Sequence, residues 1–181
     1  MLWHSKPVST VTDAQSTVTH QPWDHAINLK PNFSMKKCGV YCLTPAENLA
    51  LKSYIQEHLN KGYIHPSKSS IASPFFFVTK KGGNVCPIQD YRALNDITIK
   101  NATSLSHIPE LIDKLQGSWY FTKFNVHWGY NNICIKESDK WKAAFKCSLG
   151  LFEPLVITFG LCNAPATFQS FMSSIFSDLI D

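Results

Sequence analysis

Apolar positions along this chain change period several times, and the changes mark its elements. Residues 1 to about 20, MLWHSKPVSTVTDAQSTVTH, are rich in Ser and Thr and show no apolar period. That composition predicts a disordered tail over 1–21, with one folded unit over 22–181. Order is expected to begin near WDHAINLKP. LTPAENLALKSYIQEHLNKGY then carries helix punctuation: Thr44 as N-cap, Pro45 at the first helical position, Glu47 three residues after the cap and Gly62 past the end, so a helix is predicted over 45–60. SPFFFVTKK and NVCPIQDYR, joined by Gly82-Gly83, read as a β-hairpin, because adjacent glycines supply the positive φ angles of a tight turn. Ile108, Leu111, Ile112 and Leu115 follow helical spacing and stop at Gly117. WYFTKFNV, NNICIK and WKAAFKCS read as strands, and GLFEPLVITFG as partly extended. In APATFQSFMSSIFSDLID, Phe168, Phe171, Met172, Ile175 and Leu179 make one apolar helical face, which is expected to pack into the core. The order is α+β rather than alternating βαβ.

Composition narrows the function only a little. A length of 181 residues is enough to bury a core. The formal charge of +4 and pI near 8.7 permit a polyanionic partner without requiring one. No run of about 18 apolar residues occurs, and the N-terminus lacks a secretion-signal layout, so no membrane association and an intracellular location, cytoplasm or nucleus alike, are expected. The six cysteines are scattered and fit thiols in a reducing compartment. Cys38, Cys42 and His25 could be metal ligands, but their spacing matches no common zinc pattern and a fourth ligand is missing. Lys80 and Lys81 sit at the predicted hairpin tip. They suit phosphate contact there, although exposed lysines beside a turn need no function.

Several stretches together resemble one family. LTPAENLALKSYIQEHLNKGYIHPSKSSIASPFFFVTKKGG, QDYRALN, FTKFNVHWGYNNI, WKAAFKC and FGLCNAPATFQSFM are similar to the fingers and first half of the palm of the reverse transcriptase of LTR retrotransposons of the Ty3/gypsy type. The resemblance covers roughly residues 22–181. It implies a right-hand polymerase fold, fingers plus an incomplete palm, from a Pol polyprotein. It also implies nucleotidyl transfer to a primer 3′-hydroxyl, Mg²⁺ as the family's cofactor, and an RNA or DNA template-primer as partner.

The resemblance also assigns residues. Asn125 matches the position of an Asp that holds metal in the family, and Cys86, four residues before Asp90, matches an Arg that reaches the triphosphate. Lys80 and Lys81 stay in the nucleotide-binding hairpin. Tyr130 matches the residue over which the incoming sugar packs, while Phe159 and Gly160 match the pocket floor; by residue type alone each could equally be core. An Asn offers one neutral carbonyl oxygen where Asp offers two anionic ones. The expected loss is on the order of a thousandfold or more in rate. A thiol at Cys86 cannot replace the donors of a guanidinium. The family's Tyr-x-Asp-Asp hairpin does not occur before Asp181, and Asp178 and Asp181 do not stand in for it. The expectation is a chain that is catalytically inactive and binds no Mg²⁺.

Further departures share a chemistry. Cys134, His65 and His127 replace Arg, and Ser104 and Ser106 replace Pro; with Asn125 and Cys86, each follows from one C-to-T or G-to-A change in its codon. A decaying transposon copy would give this pattern. The alternative is a non-catalytic module that binds RNA or DNA duplexes through Lys61, Lys68 and the basic hairpin, since phosphate contacts do not depend on Asn125. A half-palm also leaves a sheet edge unpaired, which favours self-association.

Overall fold

The computed structural model describes residues 21–34, 39–79, 85–102, 112–123 and 125–179. Helix α1 spans Pro45–Asn60 and begins with a full capping box: the Glu47 N–H donates to Thr44 Oγ1 at 3.3 Å, and the Thr44 N–H donates back to Glu47 Oε2 at 2.8 Å. Two orphan amides at the helix start are thereby satisfied. The helix buries Leu51 and Ile55, and Gly62, at φ +66°, turns the chain away from its end.

A five-stranded sheet follows, built from β1 (Ile64–Pro66), β2 (Ser73–Thr79), β3 (Val85–Gln89), β4 (Phe145–Cys147) and β5 (Gly150–Pro154) in the order β1-β5-β4-β2-β3. The β2–β3 pair is antiparallel, with Phe76 opposite Ile88 and Val78 opposite Cys86, as the hairpin reading requires. Its Gly82-Gly83 turn, with Lys80 and Lys81, lies outside the described residues. β2 also pairs with β4 in parallel, through Ser73–Phe145 and Pro74–Lys146. The non-local strand β4 therefore joins the two halves of the chain in one sheet.

Two apolar clusters hold the molecule. Leu51, Ile55, Ile64, Phe75, Phe145, Cys147 and Phe152 fill the space between α1 and the sheet. The second gathers Ile27, Tyr91, Leu94, Ile133, Ile135, Ile157, Leu161 and Ala164 around α2 (Arg92–Ile97) and α3 (Ala164–Ile175). An N-terminal strap threads this second cluster. The His25 N–H donates to Cys134 O at 2.8 Å, and the Ile27 N–H donates to Asp139 Oδ2 at 2.8 Å.

Three strand expectations need correction. Among the described residues of WYFTKFNV no strand forms; Trp119 and Tyr120 are more than 90% exposed, at 92% and 94%. β-propensity expresses fit to a half-buried pleated surface, and among the described residues no strand pairs with the segment. NNICIK gives a 3₁₀ helix, Gly129–Asn132, followed by single bridges from Cys134 to Val156 and from Ile135 to His25. WKAAFKCS is strand only over Phe145–Cys147, because the stretch before it is drawn into a 3₁₀ helix, Glu137–Ala143, tied by the i,i+3 pair Lys142–Asp139. The predicted helix ending at Gly117 falls mostly outside the described residues; 112–114 are helical and Gly117 has φ +81°. In α3, Phe168 and Phe171 pack on the second cluster, but Ile175 is exposed, so the apolar stripe is only half buried. Among the described residues, no helix is long and apolar enough to cross a membrane.

Candidate functional site

Tyr130, Phe159 and Gly160 are brought together; Asn125 and Cys86 are not drawn into the same contacts. Tyr130 lies in the Gly129–Asn132 turn with its ring 5.0 Å from that of Phe159 and 5.3 Å from that of Phe168. Phe168 fixes the turn from below: a Cβ on Gly129 would lie 2.9 Å from its ring, so only glycine allows this approach. Phe159 is 78% exposed, far too open for a core residue. Gly160 has φ +102° and its backbone passes close to Tyr91, whose Cδ2 would be 3.4 Å from an added Cβ. Tyr91 is fully buried and donates its hydroxyl to Ala143 O at 2.9 Å; burial raises its phenol well above the usual range.

Asn125 stands exposed five residues before Tyr130, at the end of the open aromatic run. Cys86 is half-buried on β3, the outer strand of the sheet. The turn between Asn125 and Tyr130 carries a feature the sequence did not flag. Trp128 adopts φ +54°, a left-handed conformation uncommon for a bulky residue, with Lys61 Nζ 4.9 Å from its ring centre. His127 meets the same ring edge-on at 5.1 Å.

A cavity of about 540 Å³ is lined by Tyr41, Pro74, Asp90, Arg92, Ala93 and Asp96 among others. Arg92 donates to both Asp90 oxygens, at 2.8 and 2.6 Å. The guanidinium holds the Asp90 carboxyl below the usual carboxylate range. Below α3, His25 is buried with Nδ1 2.8 Å from Thr167 Oγ1, and burial pushes its imidazole down to about 4. Its role is therefore structural. Cys42, its proposed companion, is exposed, and Cys38 lies outside the described residues.

The chain belongs to the reverse transcriptase (RNA-dependent DNA polymerase) family, which matches residues 78–181. It is 38% identical over 138 residues to the Transposon Tf2-3 polyprotein of Schizosaccharomyces pombe, a stretch that is 76% of this chain and 10% of that relative. The Transposon Tf2-7 polyprotein of the same organism is 37% identical over 139 residues. The chain thus spans about a tenth of the length of these polyproteins. In fold it is similar to the prototype foamy virus protease-reverse transcriptase, with a TM-score of 0.74 at 19% identity over 86% of this chain and 21% of the other. The foamy viral protease-reverse transcriptase in complex with an RNA/DNA hybrid gives 0.70 at 16% identity, over 85% of this chain and 21% of the other. The fingers and early palm of a transposon-encoded reverse transcriptase are the class this chain falls in.

Reverse transcriptases generally use divalent metal ions, which are hard cations that select anionic oxygen. Asn125, which the resemblance matches to a metal-ligand position, carries a neutral amide. Among the described residues no group of three or more His, Cys, Asp or Glu side chains could hold a metal ion.

Proposed function

We propose that this chain is the fingers and early-palm part of a transposon RNA-directed DNA polymerase whose nucleotidyl transfer is disabled at Asn125. The observation that carries the reading is the neutral side chain at that one position, exposed beside an otherwise assembled Tyr130–Phe159–Gly160 surface. Transfer onto a primer 3′-hydroxyl develops negative charge on phosphoryl oxygens, and its stabilisation depends on charge fixed in advance. Cys86 weakens the hold on the triphosphate in the same direction. The test is a graft of residues 22–181 into the matching segment of the Tf2-3 polyprotein reverse transcriptase, assayed by primer extension on a homopolymer template in Mg²⁺ or Mn²⁺. The graft is expected to give no templated product, and Asn125→Asp with Cys86→Arg to raise extension by about a thousandfold or more. Product above background from the unrepaired graft overturns the reading.

A second reading is favoured by the state of the rest of the site. Helix α1, the β2–β3 pair and the Tyr130–Phe159 contact are all formed, so a template-primer duplex can be gripped without chemistry inside the cell. Anisotropy of a labelled RNA–DNA primer-template is expected to show saturable binding that weakens log-linearly with salt. Absence of binding at low salt removes this second role. The open run at 119–121 supports self-association of the isolated chain.

A further inference from the structure

The turn that carries Phe159 and Gly160 has no sheet partner. Up to Ile157 the chain is held by backbone bonds, the last being from the Ile157 N–H to Ile133 O at 2.9 Å. From Ala164 it is held by α3. In between, the Ala164 N–H closes back on Leu161 O at 3.2 Å, and the Gly160 carbonyl and Cys162 amide are met by a side chain from another element. Asn95, half-buried on α2, donates Nδ2–H to Gly160 O at 2.7 Å and accepts the Cys162 N–H on Oδ1 at 3.0 Å. The reverse grip comes from Asn163, the N-cap of α3, which is 4% exposed. It donates Nδ2–H to Ile99 O at 2.9 Å and accepts the Asn101 N–H at 3.0 Å. Asn95 lies within α2 and Asn163 caps α3, and each binds the irregular segment next to the other. A primary amide can give and take a hydrogen bond at once; Asp, Leu or Ala cannot.

We propose that Asn95 and Asn163 are positioning residues, a reciprocal pair of amides that sets the Phe159–Gly160 turn against α2 and so fixes the surface on which a template-primer nucleotide packs. The proposal rests on the second reading above, with the Tyr130–Phe159 contact as part of the surface that grips the duplex. Periodicity places both asparagines in polar positions and says no more about them. Their cross-bonding, over separations of 65 and 62 residues for the Gly160 and Asn101 contacts, is visible only in the fold.

The test uses the full chain and a fluorescein-labelled RNA–DNA primer-template, with binding measured for Asn95→Ala, Asn95→Asp, Phe159→Ala and the double variant Asn95→Ala/Phe159→Ala. Asn95→Ala is expected to weaken binding on the order of tenfold. Asn95→Asp retains the acceptor for Cys162 but loses the donor to Gly160, and is expected to fall between it and the wild type. In the Phe159→Ala background, Asn95→Ala is expected to change binding by less than about twofold, since the side chain it positions is gone. A merely structural role would give additive losses. Amide exchange supplies a readout independent of nucleic acid: the Cys162 N–H loses protection in Asn95→Ala while the Asn101 N–H keeps it, and Asn163→Ala gives the reverse. Unchanged binding in both Asn95 variants, additive losses in the double variant, or unchanged Cys162 exchange each overturn the proposal while leaving duplex binding intact. Failure of the wild-type chain to bind at low salt overturns the duplex-binding reading and the proposal with it.

Discussion

Ser73–Thr79 (SPFFFVT) and residues 118–126 (SWYFTKFNV) are close in composition and opposite in fate. The first is β2, flanked by β3 and β4, with Phe75 wholly buried and touching the rings of Tyr54, Phe77 and Phe145 at 5.3–5.7 Å. The second forms no strand among its described residues, and Phe121 is 65% exposed beside the still more open Trp119 and Tyr120. Both runs are aromatic and β-prone, so propensity does not separate them; a neighbouring strand does. An aromatic residue stabilises the fold only where other atoms surround it, which places the stability of this molecule in the sheet and the α2–α3 cluster rather than along the palm run.

That contrast can be tested from its strongest arm downwards. Phe75→Ala is expected to cost about 3–5 kcal/mol in urea unfolding, because it empties a site closed on every side. A cost below about 1 kcal/mol would erase the distinction between the two runs. Next comes the strap beneath α3. His25 is neutral in the fold, held down to about 4 against an ordinary 6.5 by burial, against the opposing pull of Asp139. The unfolded chain therefore takes up the proton first as pH falls. Stability from this residue is complete above about pH 6.5 and is lost between 6.5 and 4, by about 3 kcal/mol in all. His25→Gln is expected to flatten the pH dependence of unfolding over that window.

Gly129→Ala drives a methyl into the Phe168 ring and is expected to cost about 1–3 kcal/mol, with the Tyr130 environment altered in near-UV circular dichroism. Thr44→Ala removes the Oγ1 acceptor of the Glu47 N–H while leaving the Thr44 backbone N–H on Glu47, and is expected to cost about 1 kcal/mol, read as a lower melting midpoint. The smallest change belongs to the open run: Trp119→Ser should alter unfolding by no more than about 0.5 kcal/mol. Its effect should appear instead as weaker concentration-dependent association in sedimentation. A large loss of stability there would mean the run is buried after all.

Local chemistry was legible in the sequence and neighbour relations were not. Thr44, Pro45, Glu47 and Gly62 fix the bounds of α1 through bonds within a few residues of one another, so reading them in order suffices. The β2–β3 pairing was legible in the same way, from two β-prone runs close together in the chain, although its register, with Thr79 opposite Val85, was not. Helix α2 was missed because its six residues are too few for a period to show and no side chain caps Tyr91 at its start. WYFTKFNV failed for the reason just given. Of the site, Tyr130, Phe159 and Gly160 emerged from the family motif and meet in space, whereas nothing in residue type distinguishes Asn95 or Asn163 from any solvent-facing asparagine. Trp128 was equally hidden, since a left-handed backbone angle at a bulky residue is enforced by surroundings.

The strap at 25–30 also sets a clock on synthesis. His25 lies 142 residues before Thr167, and Ile27 lies 112 before Asp139 and 115 before Lys142. At roughly 5–20 residues per second, a ribosome needs on the order of ten seconds between making the first partner and the last. Through that interval Asn28 and Lys30 can pair with Ile99 and Ile97 as soon as α2 is made, while His25 and Ile27 still wait for Thr167 and Asp139.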